Sequence, residues 1–205
     1  MTAQDCLALL RQVKDVAFAT VDASGLPQVR IIDVMLVEQD ALYFCTARGK
    51  AFYHQLLSTG QVAVAALTPA YQMIRLSGRV RHLDGQLDWI DRIFVENPAM
   101  ETVYPGQSRY ILEPFCLDNG QMEVFDLGQQ PIHRESFALG GGDVQEKGFV
   151  ITSACIGCGK CQRGCPQNCI ESGAPFSIVQ AHCLHCGLCQ ELCPVQAIQT
   201  RGAGT

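Results

Sequence analysis

Apolar and polar positions change their spacing several times along the chain, and each change marks an element. Residues 2–13 carry Cys6, Leu7, Leu9, Leu10 and Val13 at helical spacing, with Thr2 or Asp5 placed to cap. A short amphipathic helix is expected there, with Cys6 in the core. Residues 16–21 read as a strand, 22–25 as a turn, and 27–37 as a second, longer strand that completes a hairpin. Gln39 and Asp40 turn the chain into a third strand, 41–46. Helical spacing returns over 49–58 through Phe52, Leu56 and Leu57. Residues 62–67 are almost wholly apolar, which predicts a strand buried on both faces. Residues 71–83 form a fifth strand through Met73, Ile74, Leu76 and Val80. Residues 84–96 form a helix with Asp84 as cap, Leu87, Ile90 and Phe94 as its face, and Asn97-Pro98 as its stop. Residues 109–117 and 121–127 are two strands about a turn at Asp118-Asn119-Gly120.

Strands joined by tight turns, with three helices inserted, close naturally as an antiparallel barrel, because closure removes exposed edges. The composition then shifts. Leu139-Gly-Gly-Gly-Asp143 reads as a flexible connector. It divides the chain into a domain at 1–139, a linker at 140–146 and a second domain at 147–205. In that tail a strand at 149–152 is expected to pair with one at 176–179. The tail repeats itself with a period of about 28 residues.

The repeat is written in cysteine. Cys155-Ile-Gly-Cys158-Gly-Lys-Cys161-Gln-Arg-Gly-Cys165-Pro166 is followed by Cys183-Leu-His-Cys186-Gly-Leu-Cys189-Gln-Glu-Leu-Cys193-Pro194. This C-x2-C-x2-C-x3-C-P run, doubled, resembles the two-cluster bacterial ferredoxins over residues 147–200. The resemblance implies two [4Fe–4S] clusters with crossed ligands. Cys155, Cys158, Cys161 and Cys193 would hold one; Cys183, Cys186, Cys189 and Cys165 the other. Gly157, Gly159 and Gly187 let the loops wrap without a Cβ in the way. Pro166 and Pro194 stop each loop after its fourth ligand. Paired C-x2-C motifs also build zinc ribbons, but zinc needs four ligands and this stretch offers eight in duplicated order. A disulfide framework would need an oxidising compartment, to which nothing points. Cys169 stands where Ala197 stands in the second half and reads as a small buried residue. His182 and His185 flank ligands and read as solvated or supporting groups.

The order Pro27-Gln-Val-Arg30-Ile31-Ile32, Leu42-Tyr43-Phe44-Cys45-Thr46, Gly49-Lys50-Ala51, His54-Gln55-Leu56, Tyr71-Gln72-Met73-Ile74-Arg75 and Gly78 resembles the pyridoxamine 5′-phosphate oxidase-like flavin-binding split barrels over residues 5–130. The whole chain is then mainly β, an antiparallel split barrel with inserted helices, joined to a small α+β ferredoxin-like domain. The resemblance implies a homodimer with FMN in the groove between two barrels. Arg30 and Lys50 would meet the phosphate dianion, with Arg48 as a second contact, and Lys50 opens a helix whose dipole favours an anion. Backbone near Ile31, Ile32, Cys45 and Thr46 would face the ring and ribityl chain, and Gln72 would hydrogen-bond from a neighbouring strand. The paired basic residues of such proteins are here split as Arg48-Gly49-Lys50. The oxidase's own substrate residues are not recognisable in 118–134, so pyridoxamine phosphate oxidation is not expected. A deazaflavin or haem in place of FMN stays open.

Length and charge narrow the partners. The 205 residues carry a net charge of −5 with no Lys/Arg run, so nucleic acid is not expected. No stretch has the length of a membrane span, and residues 1–15 lack a basic, apolar leader. With thiolate-ligated clusters this predicts a cytoplasmic protein in an oxygen-poor setting. The expected activity is that of a flavin/iron–sulfur oxidoreductase, exchanging electrons with a low-potential donor or acceptor protein and reducing a small organic substrate. His54, Tyr71 and Arg75 are possible proton donors. The other reading is a non-catalytic carrier or redox-sensing flavin or haem module that docks a protein partner.

Overall fold

The structure, a computed structural model, describes residues 1–202. The chain forms two compact units, Met1–Glu123 with Ser136–Val144, and Val124–Glu135 with Gln145–Thr205.

The first unit opens with α1 (Ala3–Val13), whose Thr2 and Asp5 form a reciprocal capping box: Thr2 Oγ1 accepts from the Asp5 N–H at 3.1 Å, and Asp5 Oδ2 from the Thr2 N–H at 2.8 Å. Cys6, Leu7 and Leu10 are its buried face. The strands are β1 (Asp15–Val21), β2 (Pro27–Asp33), β3 (Leu36–Glu38), β4 (Ala41–Ala47), β5 (Gln61–Leu67), β6 (Gln72–His82), β7 (Leu112–Asp126) and β8 (His133–Leu139). They make a mainly antiparallel half-barrel in the order β2-β1-β5-β6-β7-β4-β3, with β8 on β7. α2 (Ala51–Thr59) and α3 (Gln86–Glu96) are the inserted helices, and α3 is followed by 3-10 turns Pro98–Thr102 and Gly106–Ile111.

β4 is buried along its whole length. Phe44 stacks with Phe115 at 5.6 Å between centroids and tilts against Phe18 at 4.8 Å. Cys45 and Tyr43, on the other side, meet Ile90, Ile93 and Phe94 of α3. That double cover was expected of β5. Instead β5 alternates, burying Val62, Val64 and Ala66 and turning Ala63 and Leu67 outward. Its apolar outer residues are mostly alanines, so composition alone hid the alternation.

Four further expectations are corrected. The long second strand is two. β2 pairs with β1 as far as Asp33 opposite Asp15. Met35 then donates its N–H to Tyr43 O at 2.8 Å, and β3 pairs with β4. The chain changes partner at Val34, and period-2 patterning does not register a change of neighbour. α3 is capped by left-handed Gly85, with no side-chain bond from Asp84, and it buries Ile93 while Leu87 is exposed. Residues 118–120 are not a turn but lie within β7. Gly120 serves close approach there: a Cβ on it would stand 2.2 Å from Ser77 O. A Cβ on Gly142 would stand 2.1 Å from Gly120 O, so the glycine run expected as a free connector lies against β7 at that point.

The second unit repeats a strand–loop–helix–strand pattern. β9 (Phe149–Ile151), α4 (Lys160–Gly164) and β10 (Ile170–Glu171) are followed by β11 (Ser177–Ile178), α5 (Leu188–Glu191) and β12 (Ile198–Thr200). β9 pairs with β12 and β10 with β11, which corrects the expected pairing of 149–152 with 176–179. The outer strands of the repeat pair with each other, and so do the inner two, as two separate two-stranded sheets.

Candidate functional site

The nested strand order brings cysteines of one half beside those of the other. One pocket is lined by Cys155, Cys158, Cys161 and Cys193, together with Ile151, Phe176 and Ile198. A second is lined by Cys165, Cys183, Cys186 and Cys189, with Phe149, Ile170 and Ile178. Each gathers three thiols of one run and the last of the other. The loops reach this shape through left-handed residues: Gly157 and Gly159 in the first half, His185 and Gly187 in the second. Gly159 and Gly187 are also the N-caps of α4 and α5, placing Cys161 and Cys189 in the first turn of each.

Backbone N–H groups point at these sulfurs. Those of Phe176 and Gly157 hold the Cys155 thiol below its usual range. The His185 N–H donates to Cys183 Sγ at 3.4 Å and the Ala197 N–H to Cys193 Sγ at 3.2 Å. Such donors stabilise thiolate, the form that binds iron. Among the described residues no three His, Cys, Asp or Glu side chains gather tightly enough for one metal ion. Cys169 is buried, and burial with the neighbouring Cys165 and Cys183 sulfurs pushes its thiol up. His182 Nδ1 lies 2.8 Å from Ile132 O.

In the first unit α2 organises the residues expected to meet a flavin. Arg30 on β2 donates from Nη1 to Thr20 Oγ1 at 2.6 Å and from Nη2 to Gln55 Oε1 at 2.9 Å. Its guanidinium lies 4.4 Å from the centre of the Phe52 ring. Thr20 in turn donates to Gln55 Oε1 at 2.6 Å. Lys50 is the exposed N-cap of α2, and no side chain caps that terminus. Arg48 donates from Nη1 to the buried Glu113 Oε1 at 2.6 Å, and Glu113 Oε2 lies 2.8 Å from His82 Nε2. Thr46 stands opposite Glu113 in the β4–β7 register. Its Oγ1 is buried with no hydrogen-bond partner, so a polar ligand there would satisfy it.

Other expected residues stand apart. The Cys45 side chain faces the α3 side of β4, where burial pushes its thiol up to about 12. The Ile31 side chain is exposed and Ile32 is half-buried. Gln72 lines a separate cavity with Leu9, Val13 and Thr68. Tyr71 and His54 are exposed, and Arg75 donates to the buried Glu123 Oε1 at 2.7 Å, so the three possible proton donors form no cluster. Thr20, Glu113 and His82 were not singled out from sequence, and Gln55 was quoted only within the His54-Gln55-Leu56 segment of the resemblance, with no contact assigned to it. A glutamate inside the apolar run 112–117 was the one available signal.

These features define a class, a split barrel carrying an iron–sulfur module, and the comparisons agree. Residues 2–101 match the family described as pyridoxamine 5′-phosphate oxidase, and residues 154–197 match the 4Fe-4S dicluster domain. The chain is a pyridoxamine 5′-phosphate oxidase-like split barrel joined to a 4Fe-4S dicluster domain. Comparison with curated proteins finds no match. Among solved structures, a NimC/NimA family protein from Clostridium acetobutylicum is 18% identical with a TM-score of 0.57, covering 67% of this chain and 92% of that one. PhzG from Burkholderia lata, solved with tetrahydrophenazine-1-carboxylic acid, is 17% identical with a TM-score of 0.52, covering 68% and 83%. A heme binding protein from Mycobacterium smegmatis is 14% identical with a TM-score of 0.52, covering 67% and 58%. At these identities the likeness concerns the fold alone. Among the described residues no helix is long and apolar enough to cross a membrane.

Proposed function

We propose that this chain is a flavin/iron–sulfur oxidoreductase that passes electrons between two [4Fe–4S] clusters and FMN and reduces a small organic substrate. The observation that carries the reading is the pair of cysteine-lined pockets, each with three thiols of one run and the last of the other, on one chain with a split barrel of this class. Cys155, Cys158, Cys161 and Cys193 would hold one cluster and Cys183, Cys186, Cys189 and Cys165 the other. The clusters supply one-electron steps and the flavin one- or two-electron steps. Arg30 and Lys50 would bind the flavin phosphate, with the uncapped N–H groups of α2 beside them. Arg48 brings less net charge, because Glu113 already pairs with it.

A homodimer belongs to this reading. β2, β1 and β5 present a continuous apolar outer surface: Ile31 stands opposite Ala17 and Ala17 opposite Ala65, while Val29 stands opposite Ala19 and Ala19 opposite Ala63. Val29, Ile31 and Leu67 are exposed on it. A two-fold contact would bury the same patch on both copies. A low-potential protein donor in a reducing cytoplasm completes the proposal.

The test is anaerobic purification with iron, sulfide and flavin analysis, then stopped-flow reduction by a one-electron donor. About eight irons per chain are expected, with cluster bands bleaching first and flavin following at a rate independent of protein concentration. Flavin that reduces equally fast in a Cys155→Ser, Cys183→Ser variant refutes the relay. Reduced flavin that only a protein partner can reoxidise favours the carrier reading instead.

A further inference from the structure

One cavity holds a sulfur that the other lacks. Cys169 lines the cavity of Cys165, Cys183, Cys186 and Cys189, and its Sγ is 3.5 Å from that of Cys165. It is 4% exposed. Its counterpart in the repeat is Ala197, in the wall of the other cavity, where four cysteines are the only sulfurs. Backbone donors reach ligand sulfurs in both cavities, and the first also has the Ala197 N–H on Cys193 and the Phe176 N–H on Cys155. The Gly157 N–H reaches Cys155 as the His185 N–H reaches Cys183. The side chain at position 169 adds a side-chain sulfur donor that the other cavity lacks.

We propose that Cys169 is a positioning residue that tunes one of the two clusters, donating its S–H to the Cys165 sulfur so that the cluster in the five-sulfur cavity is easier to reduce than it would be without that thiol. The proposal rests on the reading of two clusters given above. A thiolate bound to iron carries no proton, so in the Cys165–Cys169 contact only Cys169 can donate. Reduction adds one electron, taken from the donor, and therefore one negative charge to the cluster and its ligands. A hydrogen bond to a ligand sulfur stabilises that more negative state and raises the potential. A thiol is a weak donor, but this contact is shielded from water, where hydrogen bonds are stronger. Cys169 keeps its proton throughout, and no bond is made or broken.

The experiment uses the full chain under anoxia, with iron and sulfide assayed first and the clusters followed by electron paramagnetic resonance during a dithionite titration. In the unsubstituted protein two one-electron steps at different potentials are expected. Cys169→Ala should lower one of them by up to about tenfold in its reduction equilibrium, ~59 mV for one electron, with iron content unchanged. Ala197→Cys should raise the other. If the unsubstituted protein lacks two clusters, the reading of clusters fails and takes this inference with it. If two clusters are present and neither substitution moves a potential, the inference alone is wrong. Should Cys169→Ala shed iron, Ala197→Cys decides: a raised potential supports the inference and an unmoved one overturns it.

Discussion

Replacing Arg30 with alanine should weaken flavin binding while leaving the barrel folded. Arginine has five N–H donors, and two are engaged with Thr20 and Gln55. Three remain for a phosphate, aimed by a head group fixed on the Phe52 ring. A charge-assisted hydrogen bond is worth about 1.5–3 kcal/mol, or about 10- to 150-fold in Kd. The fold loses little, because Thr20 still donates to Gln55 Oε1 and neither buried group is orphaned. The lost cation–π contact adds about 0.5–1 kcal/mol. Arg30→Lys keeps the charge but cannot span Thr20, Gln55 and a phosphate together, so it should fall between the two. The assay is anaerobic titration of FMN followed by flavin fluorescence, with Tm measured on the same samples. If Arg30→Ala binds FMN within threefold of the parent at unchanged Tm, Arg30 is a structural residue of the β2–α2 contact and the phosphate assignment is wrong.

Cys155→Ser and Cys193→Ser, far apart in sequence, should damage the same cluster and leave the same residual spectrum. Different residual spectra would refute the crossed ligand sets. Gly120→Ala should destabilise by about 1–3 kcal/mol through its clash with Ser77 O, seen as a lower Tm. Gly49→Ala, with nothing within 4 Å of the added carbon, is the neutral control. The buried Cys45 and Cys116 thiols are both pushed up to about 12 by burial, so at pH 8 they should resist iodoacetamide until the protein is denatured. Mass spectrometry showing either alkylated in the folded state would contradict that burial.

The cysteine runs were legible because metal-ligand spacing is local chemistry, and the fold then carries it into two cavities. α1 was legible to its cap, since Thr2 and Asp5 signal through adjacent backbone. What escaped was non-local. Nothing near Val34 announces that its strand leaves β1 for β4. Asp118-Asn119-Gly120 has turn composition, and only the approach of Ser77 explains its glycine. The β9–β12 pairing depends on how the halves nest, which a repeat period does not encode. At α2 the basic residues were evident, but Thr20 and Gln55, which orient Arg30, are ordinary polar positions until the strand and helix meet.

The interleaving of the cysteine sets bears on how the protein is made. Neither half of the repeat can complete a site by itself, so a nascent chain ending near Ile178 would offer only three thiols to the first cluster and one to the second. Completing either set of four sulfurs therefore waits for the second half of the tail. Whichever cluster is held first would tie one half to the other, through Cys193 or through Cys165, and so bring the other four sulfurs together. In the unsubstituted protein half-filled chains should therefore be scarcer than independent loading would give, and iron limitation would lower the number of working molecules more than the quality of each.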